Sequence, residues 1–398
     1  ARPVAAPAAD RSEATATLLA DGTVLAAGGA PEVGPAEVFD PGAGTWSPTG
    51  PMVQARVGHT ATALPDGRVL VAGGVVAGES TTAAEIYDPA NRTWAALPPM
   101  AQPRSFHTAT LLRDGRLLVA GGQAGGHGPF WREAEVFDPA TATGAWGPAG
   151  VIEQGRSFHA AALLTDGRVL VTGGQGDPHG TSLRDGAAYD PAANAWSVVP
   201  QLMAVGRSGH SATLLRDGTV LLAGGTPQRQ GDNDGDQIQA SAEVFDPVDE
   251  SFRPAPAMAS ARAFHAALAL PSGRVLVVGG QSAGKGGVVA ATRAELFDGA
   301  THRWVPAGTV ASTEGPGRLS AVLLAGPGCG RACGSVLVVD AEAQLLASSY
   351  GDLATDDGAG GSGHGVWYQF ALGAVLGVGA VAAAVRFRPR RRSGVARG

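Results

Sequence analysis

Five of the nine histidines stand at one spacing. His59, His107, His159, His210 and His265 each follow an arginine by three residues. Imidazole is the commonest metal ligand, so the pattern raises a metal site. A residue recurring once per repeat is spread around a structure rather than gathered at one point, which argues for a structural role. His127 in "QAGGHGPFW" and His179 in "QGDPHGTSLRD" fall outside the pattern, in variable loops. In "GDNDGDQ", Asp232, Asp234 and Asp236 alternate as in a calcium loop, with Glu243 at the twelfth position. Gln237 occupies the sixth place, where that loop needs glycine, so an acidic loop is expected instead. No serine–histidine–aspartate set, phosphate loop or paired carboxylates appear. No catalytic residue, cofactor or metal is expected.

The elements that position these residues follow from internal repetition, the first test for any chain. Di-glycines at 28–29, 73–74, 121–122, 173–174, 224–225 and 279–280 recur every 45 to 55 residues. Each unit holds four strand-like segments. Segment a ("HTATLL") leads through a turn, mostly Asp-Gly, to segment b ("RLLVAGG"); segment c ("AEVFDP") and segment d (with "TW") follow. Asp-Gly suits a tight hairpin because it tolerates positive φ. Four short strands in about 50 residues make a propeller blade, so the class is all-β. Arginines 11, 56, 104, 156, 207, 262 and 318 open the units and predict seven blades. The last is degenerate: Asp340-Ala341 replaces the glycines, and no tryptophan segment follows. Residues 1–10 are expected to supply its outer strand and close the ring. A six-bladed ring with a loose seventh segment is the alternative.

Di-glycine after an apolar strand, then Tyr/Phe-Asp-Pro, then Trp, as in "VAGG…AEIYDPANRTW", resembles the kelch repeat over roughly residues 11–350. The resemblance implies a β-propeller with segment a innermost, and it leaves the chemistry open because one fold serves many functions. The glycines are then read as points of close backbone approach. Trp46, Trp94, Trp146, Trp196 and Trp304, with Phe252, are read as packing between blades. Glu37, Glu85, Glu135, Glu243 and Glu295 are read as partners of the repeated arginines or of backbone amides. A galactose-oxidase-like copper site would need tyrosines, one bonded to a cysteine. Tyr87 and Tyr189 replace core phenylalanines, Tyr368 lies in an apolar run, and only Tyr350 is left, so an enzyme is not expected.

Cys329 and Cys333, the only cysteines, are expected to form a local disulfide in an oxidising compartment. Residues 366–385 hold no charge over 20 residues, long enough to cross a bilayer core of about 30 Å as a helix. The six arginines of 386–398 would stay cytoplasmic. Within the span, Gly373 and Gly377 form a GxxxG pair suited to helix packing. The expected organisation is an ectodomain over 1–350, a flexible Gly-rich linker over 351–365, the span, and a basic tail. The chain would sit in the plasma membrane with its N-terminal part outside and a signal peptide removed. The net charge of −6 less the tail's +6 leaves the rest near −12, which argues against nucleic acid.

The a–b turns are nearly uniform, whereas the b–c loops vary in length. Variable loops on a rigid scaffold are where binding sits. The expected binding face is therefore the b–c face, with His127, Phe130, Trp131, His179, Arg229, Asp232, Asp234 and Asp236 as candidates. Phe130 and Trp131 are the anchors, since interface hot spots favour aromatics. The expected function is a membrane-anchored interaction or accessory subunit, its partner a membrane protein or complex. The alternative is a carbohydrate-binding or oxidase-like protein using the central pocket.

Overall fold

The computed structural model describes residues 2–3, 6–8, 11, 13–29, 36–125, 128–141, 144–177, 180–227, 237–284, 287–310, 320–339 and 344–346. They form an all-β propeller of antiparallel four-stranded sheets. Six blades are each drawn from one contiguous stretch. Blade 2 is representative, with strands Thr60–Ala63, Val69–Ala72, Ala84–Asp88 and Thr93–Leu97 from axis to rim. The second strand is buried at every residue in all six blades bar Arg274, because it is covered on both faces. That is why it reads as an unbroken apolar run rather than an alternating one.

The seventh sheet is composite. Ser320–Leu323, Val336–Val339 and Gln344–Leu346 come from the C-terminal side, and Arg2–Pro3 adds the outer strand. Arg2 pairs with Leu345 and Pro3 with Gln344. This sheet shares one apolar cluster with blade 6 and another with blade 1, so the ring is closed. Closure removes the edges that an open ring would expose. The six contiguous inner strands begin four residues after their arginine, but the seventh begins at Ser320. Arg318, read as the opening arginine of the seventh unit, lies outside the described residues.

The turns also differ in detail from expectation. In the Asp-Gly turns only glycine takes positive φ, as at Gly67 (88°). The aspartate instead accepts the amide two residues on, Arg68 N–H to Asp66 Oδ1 at 3.0 Å. Cys329, in a 3-10 turn Pro327–Ala332 between strands of the seventh sheet, is disulfide-bonded to Cys333 just past the turn. The Gly328 amide of that turn donates to Asp21 O of blade 1 at 2.8 Å.

The proposed span 366–385, with Gly373, Gly377, the linker and the basic tail, lies outside the described residues. Among the described residues no helix is long and apolar enough to cross a membrane.

Candidate functional site

Each blade is tied to the next by a repeated polar network on the b–c face. Arg11, Arg56, Arg104, Arg156, Arg207 and Arg262 are fully buried. Each donates from Nη1 to the first di-glycine carbonyl of its own blade, at 2.7 to 3.1 Å. Glu37, Glu85, Glu135, Glu243 and Glu295 do both things expected of them. Glu243 pairs with Arg207 at 2.9 Å and also accepts the Ala204 amide at 2.8 Å. Glu295 pairs with Arg262 at 3.0 Å and takes the Ala259 and Ser260 amides. Burial lowers the guanidinium pKa of Arg56, Arg104, Arg207 and Arg262, and the paired glutamate raises it again.

The five repeated histidines sit in a second network. Nε2 of His59, His107 and His159 lies 2.9 to 3.1 Å from Thr15, Thr60 and Thr108 of the preceding blade. His265 meets Ser211 in the same way. Blade 4 carries Ala160 at that position, and its cross-strand partner Thr172 supplies the hydroxyl to His210 instead, at 2.9 Å. At the seam Ala14 replaces histidine, and Ser320 donates to the Ala14 carbonyl at 2.6 Å. Burial in each case, aided by the neighbouring arginine, pushes His59 and His210 down to about 3 and the other three well below their ordinary value. They are neutral hydrogen-bonding spacers. Among the described residues no group of three or more His, Cys, Asp or Glu could hold a metal ion.

The di-glycines accommodate this packing. A Cβ on Gly121 would meet Arg156 O at 2.5 Å and the His159 ring at 2.7 Å, both of the next blade. The tryptophans pack between blades as expected. Trp146, Trp196 and Trp304 donate from Nε1 to carbonyls of the preceding blade at 2.8 to 2.9 Å. Tyr87 and Tyr189 are buried against Trp94 and Trp196.

One feature of the mouth escaped the sequence reading. The residue two after each arginine is Glu13, Gly58, Phe106, Phe158, Gly209 or Phe264, and all six have φ between 54° and 63°. Their backbones form a chain around the axis: Phe106 N–H to Gly58 O, Phe158 to Phe106, Gly209 to Phe158, Phe264 to Gly209. The three phenylalanines cluster there, with Phe106 and Phe158 stacked at 4.4 Å and Phe264 edge-on to Phe158 at 5.9 Å. A Cβ on Gly58 would strike the Phe106 ring at 2.5 Å. Positive φ costs a bulky residue on the order of 1 kcal/mol and gathers at functional sites. The restriction to Gly or Phe just before each repeated histidine was the available signal.

Of the predicted binding residues, Phe130 and Trp131 are placed. Both are half-buried in the b–c loop of blade 3. Trp131 donates from Nε1 to Pro103 O at 2.7 Å, which ties it to the adjoining link. Phe130 bridges Gln123 and sets its carbonyl against Gly155 of the next link. His127, His179, Arg229, Asp232, Asp234 and Asp236 lie outside the described residues.

A family model described as the KLHDC2/KLHL20/DRC7 Kelch-repeats domain matches residues 13–225, more than half of the chain. The chain belongs to the kelch-repeat family. No curated protein matches this kelch chain in sequence. Among solved structures it is similar to a fungal alcohol oxidase of the AA5 family in complex with copper: TM-score 0.57 and 18% identity, over 84% of this chain and 85% of that one. It is also similar to YjhT, with TM-score 0.57 and 17% identity over 76% of this chain and 99% of that one. At such identities these likenesses show the kelch propeller fold alone.

Proposed function

We propose that this kelch propeller is a non-enzymatic interaction module. Its b–c face docks a protein partner, and residues 366–385 hold it at the plasma membrane with the propeller outside and the arginine tail inside. The partner is a membrane protein or complex, and Gly373 and Gly377 are available for helix packing beside it. The observation that carries the reading is the contrast between an internal network repeated with few exceptions, chiefly in blade 4, and the b–c loops, where the blades disagree most. Arginine, glutamate and histidine are consumed in holding blades together. The b–c loops differ from blade to blade and present Phe130 beside Trp131.

The test is co-purification of the full chain in mild detergent, comparing wild type with F130A/W131A. The expected result is loss of a stoichiometric partner at least tenfold, as for aromatic anchors worth 2 kcal/mol or more, with the melting temperature of the propeller retained. Undiminished capture by the folded variant would place the partner elsewhere. The phenylalanine cluster at the axis favours a second reading, a sugar-binding or oxidase-like site in the central mouth. Stoichiometric metal retained by the purified protein would favour that second reading.

A further inference from the structure

In blade 3 the a–b turn runs from Leu111 to Leu117, and the other contiguous blades match it to within one residue. In the seventh sheet the turn runs from Leu323 to Val336 and carries the Cys329–Cys333 disulfide. The extra residues are packed. Cys329 is fully buried and belongs, with Ala332, to the apolar cluster that joins the seventh sheet to Ala16, Leu18, Val24, Ala26 and Phe39 of blade 1. Backbone meets backbone beside it, where the Gly328 amide donates to Asp21 O at 2.8 Å. A Cβ on Gly22 would lie 2.8 Å from Gly328 N and 3.2 Å from Cys329 N, so the two turns are in direct contact.

This junction is where the ring closes. The outer strand of the closing sheet, Arg2–Pro3, makes two residue pairs where that of blade 2 makes five. The histidine–hydroxyl bond that ties blades 1 to 6 in sequence has no counterpart here, since Ala14 stands at that place. Along the a–b face, blade 3 reaches blade 4 through the Arg113 side chain and blade 5 reaches blade 6 through Arg216. From the seventh sheet to blade 1 a cross-linked turn makes the contact instead.

We propose that the Cys329–Cys333 disulfide is a redox-operated clasp on ring closure. The two cysteines differ in access, Cys333 being exposed and Cys329 fully buried. A dithiol reductant therefore attacks as its thiolate at Cys333 Sγ. The S–S bond breaks and its electron pair leaves on Cys329 Sγ, which takes up a proton. The second thiol of the reductant resolves the mixed disulfide, so the reductant departs as a disulfide and Cys333 as a thiol. Gly326 O, 2.9 Å from Cys329 Sγ, is placed to accept the new S–H. Without the cross-link the turn regains conformational freedom, and its contact with Asp21 and Gly22 loosens. Reduction opens the seam and oxidation closes it, while the contiguous blades opposite keep their packing.

Hydrogen exchange of the full chain with and without dithiothreitol tests this. Reduction should speed exchange roughly tenfold in Val24–Ala27 and Val336–Val339, the central strands on either side of the seam, and leave Val169–Thr172 of blade 4 unchanged. Reoxidation with oxidised glutathione should restore the slow rates. Alkylation of the reduced, folded chain should mark Cys333 before Cys329. C329A/C333A should exchange as the reduced protein does and ignore the reductant; the wild-type reading stands by itself if that variant does not fold. Equal exchange in both redox states, a rise spread over all blades, or a disulfide reduced only on unfolding overturns the proposal.

Discussion

At the residue scale, the buried charges are committed to structure. Glu243 is almost fully buried and satisfies both Arg207 and the Ala204 amide. Replacing it with glutamine leaves an uncompensated buried guanidinium, and removing one partner of such a pair costs about 3–5 kcal/mol. Urea unfolding of E243Q should show a loss of that order, whereas R207M/E243L should lose less because no charge is stranded. The histidines carry a pH dependence. Their pKa is lower folded than unfolded, about 3 for His59 and His210, so the unfolded chain binds more protons below the ordinary value of about 6.5. Stability is therefore level above about pH 6.5 and falls as pH drops from there toward 3. Each histidine contributes roughly 1.4 kcal/mol per pH unit within that window. Melting temperature against pH should show the slope, and H210Q should make it shallower.

At the element scale, the blades compensate for one another's substitutions. Ala160 lost the inner-strand hydroxyl, and Thr172 opposite it restores the bond to His210. T172V should leave His210 Nε2 buried and unpaired, costing about 1–3 kcal/mol. A160T/T172V returns a hydroxyl to the strand used in blades 1, 2 and 3 and should recover most of that loss in the same unfolding measurement. Strand periodicity alone could not reveal the exchange, because residues 160 and 172 are brought together only by the hairpin.

At the scale of the whole molecule, the ring depends on both chain ends. Arg2–Pro3 completes the sheet whose other strands lie beyond residue 319. Deleting residues 1–7 should expose the Gln344–Leu346 edge. Exposed edges invite pairing between chains, so light scattering should show association rising with concentration, together with a lower melting temperature.

The repeat, the blade count of the contiguous stretch, the tryptophan layer and the disulfide were legible in the amino-acid order. Each is a local pattern or a periodic one, and a propeller turns periodicity directly into geometry. The glutamate–arginine pairing was legible only as two options, since contacts across a blade depend on register. The tertiary structure decided that Asp185 and Thr172 stand in for missing groups, and that phenylalanines 106, 158 and 264 meet at the axis. Those facts rest on distances between residues about 30 to 110 positions apart in sequence, which only the closed ring sets.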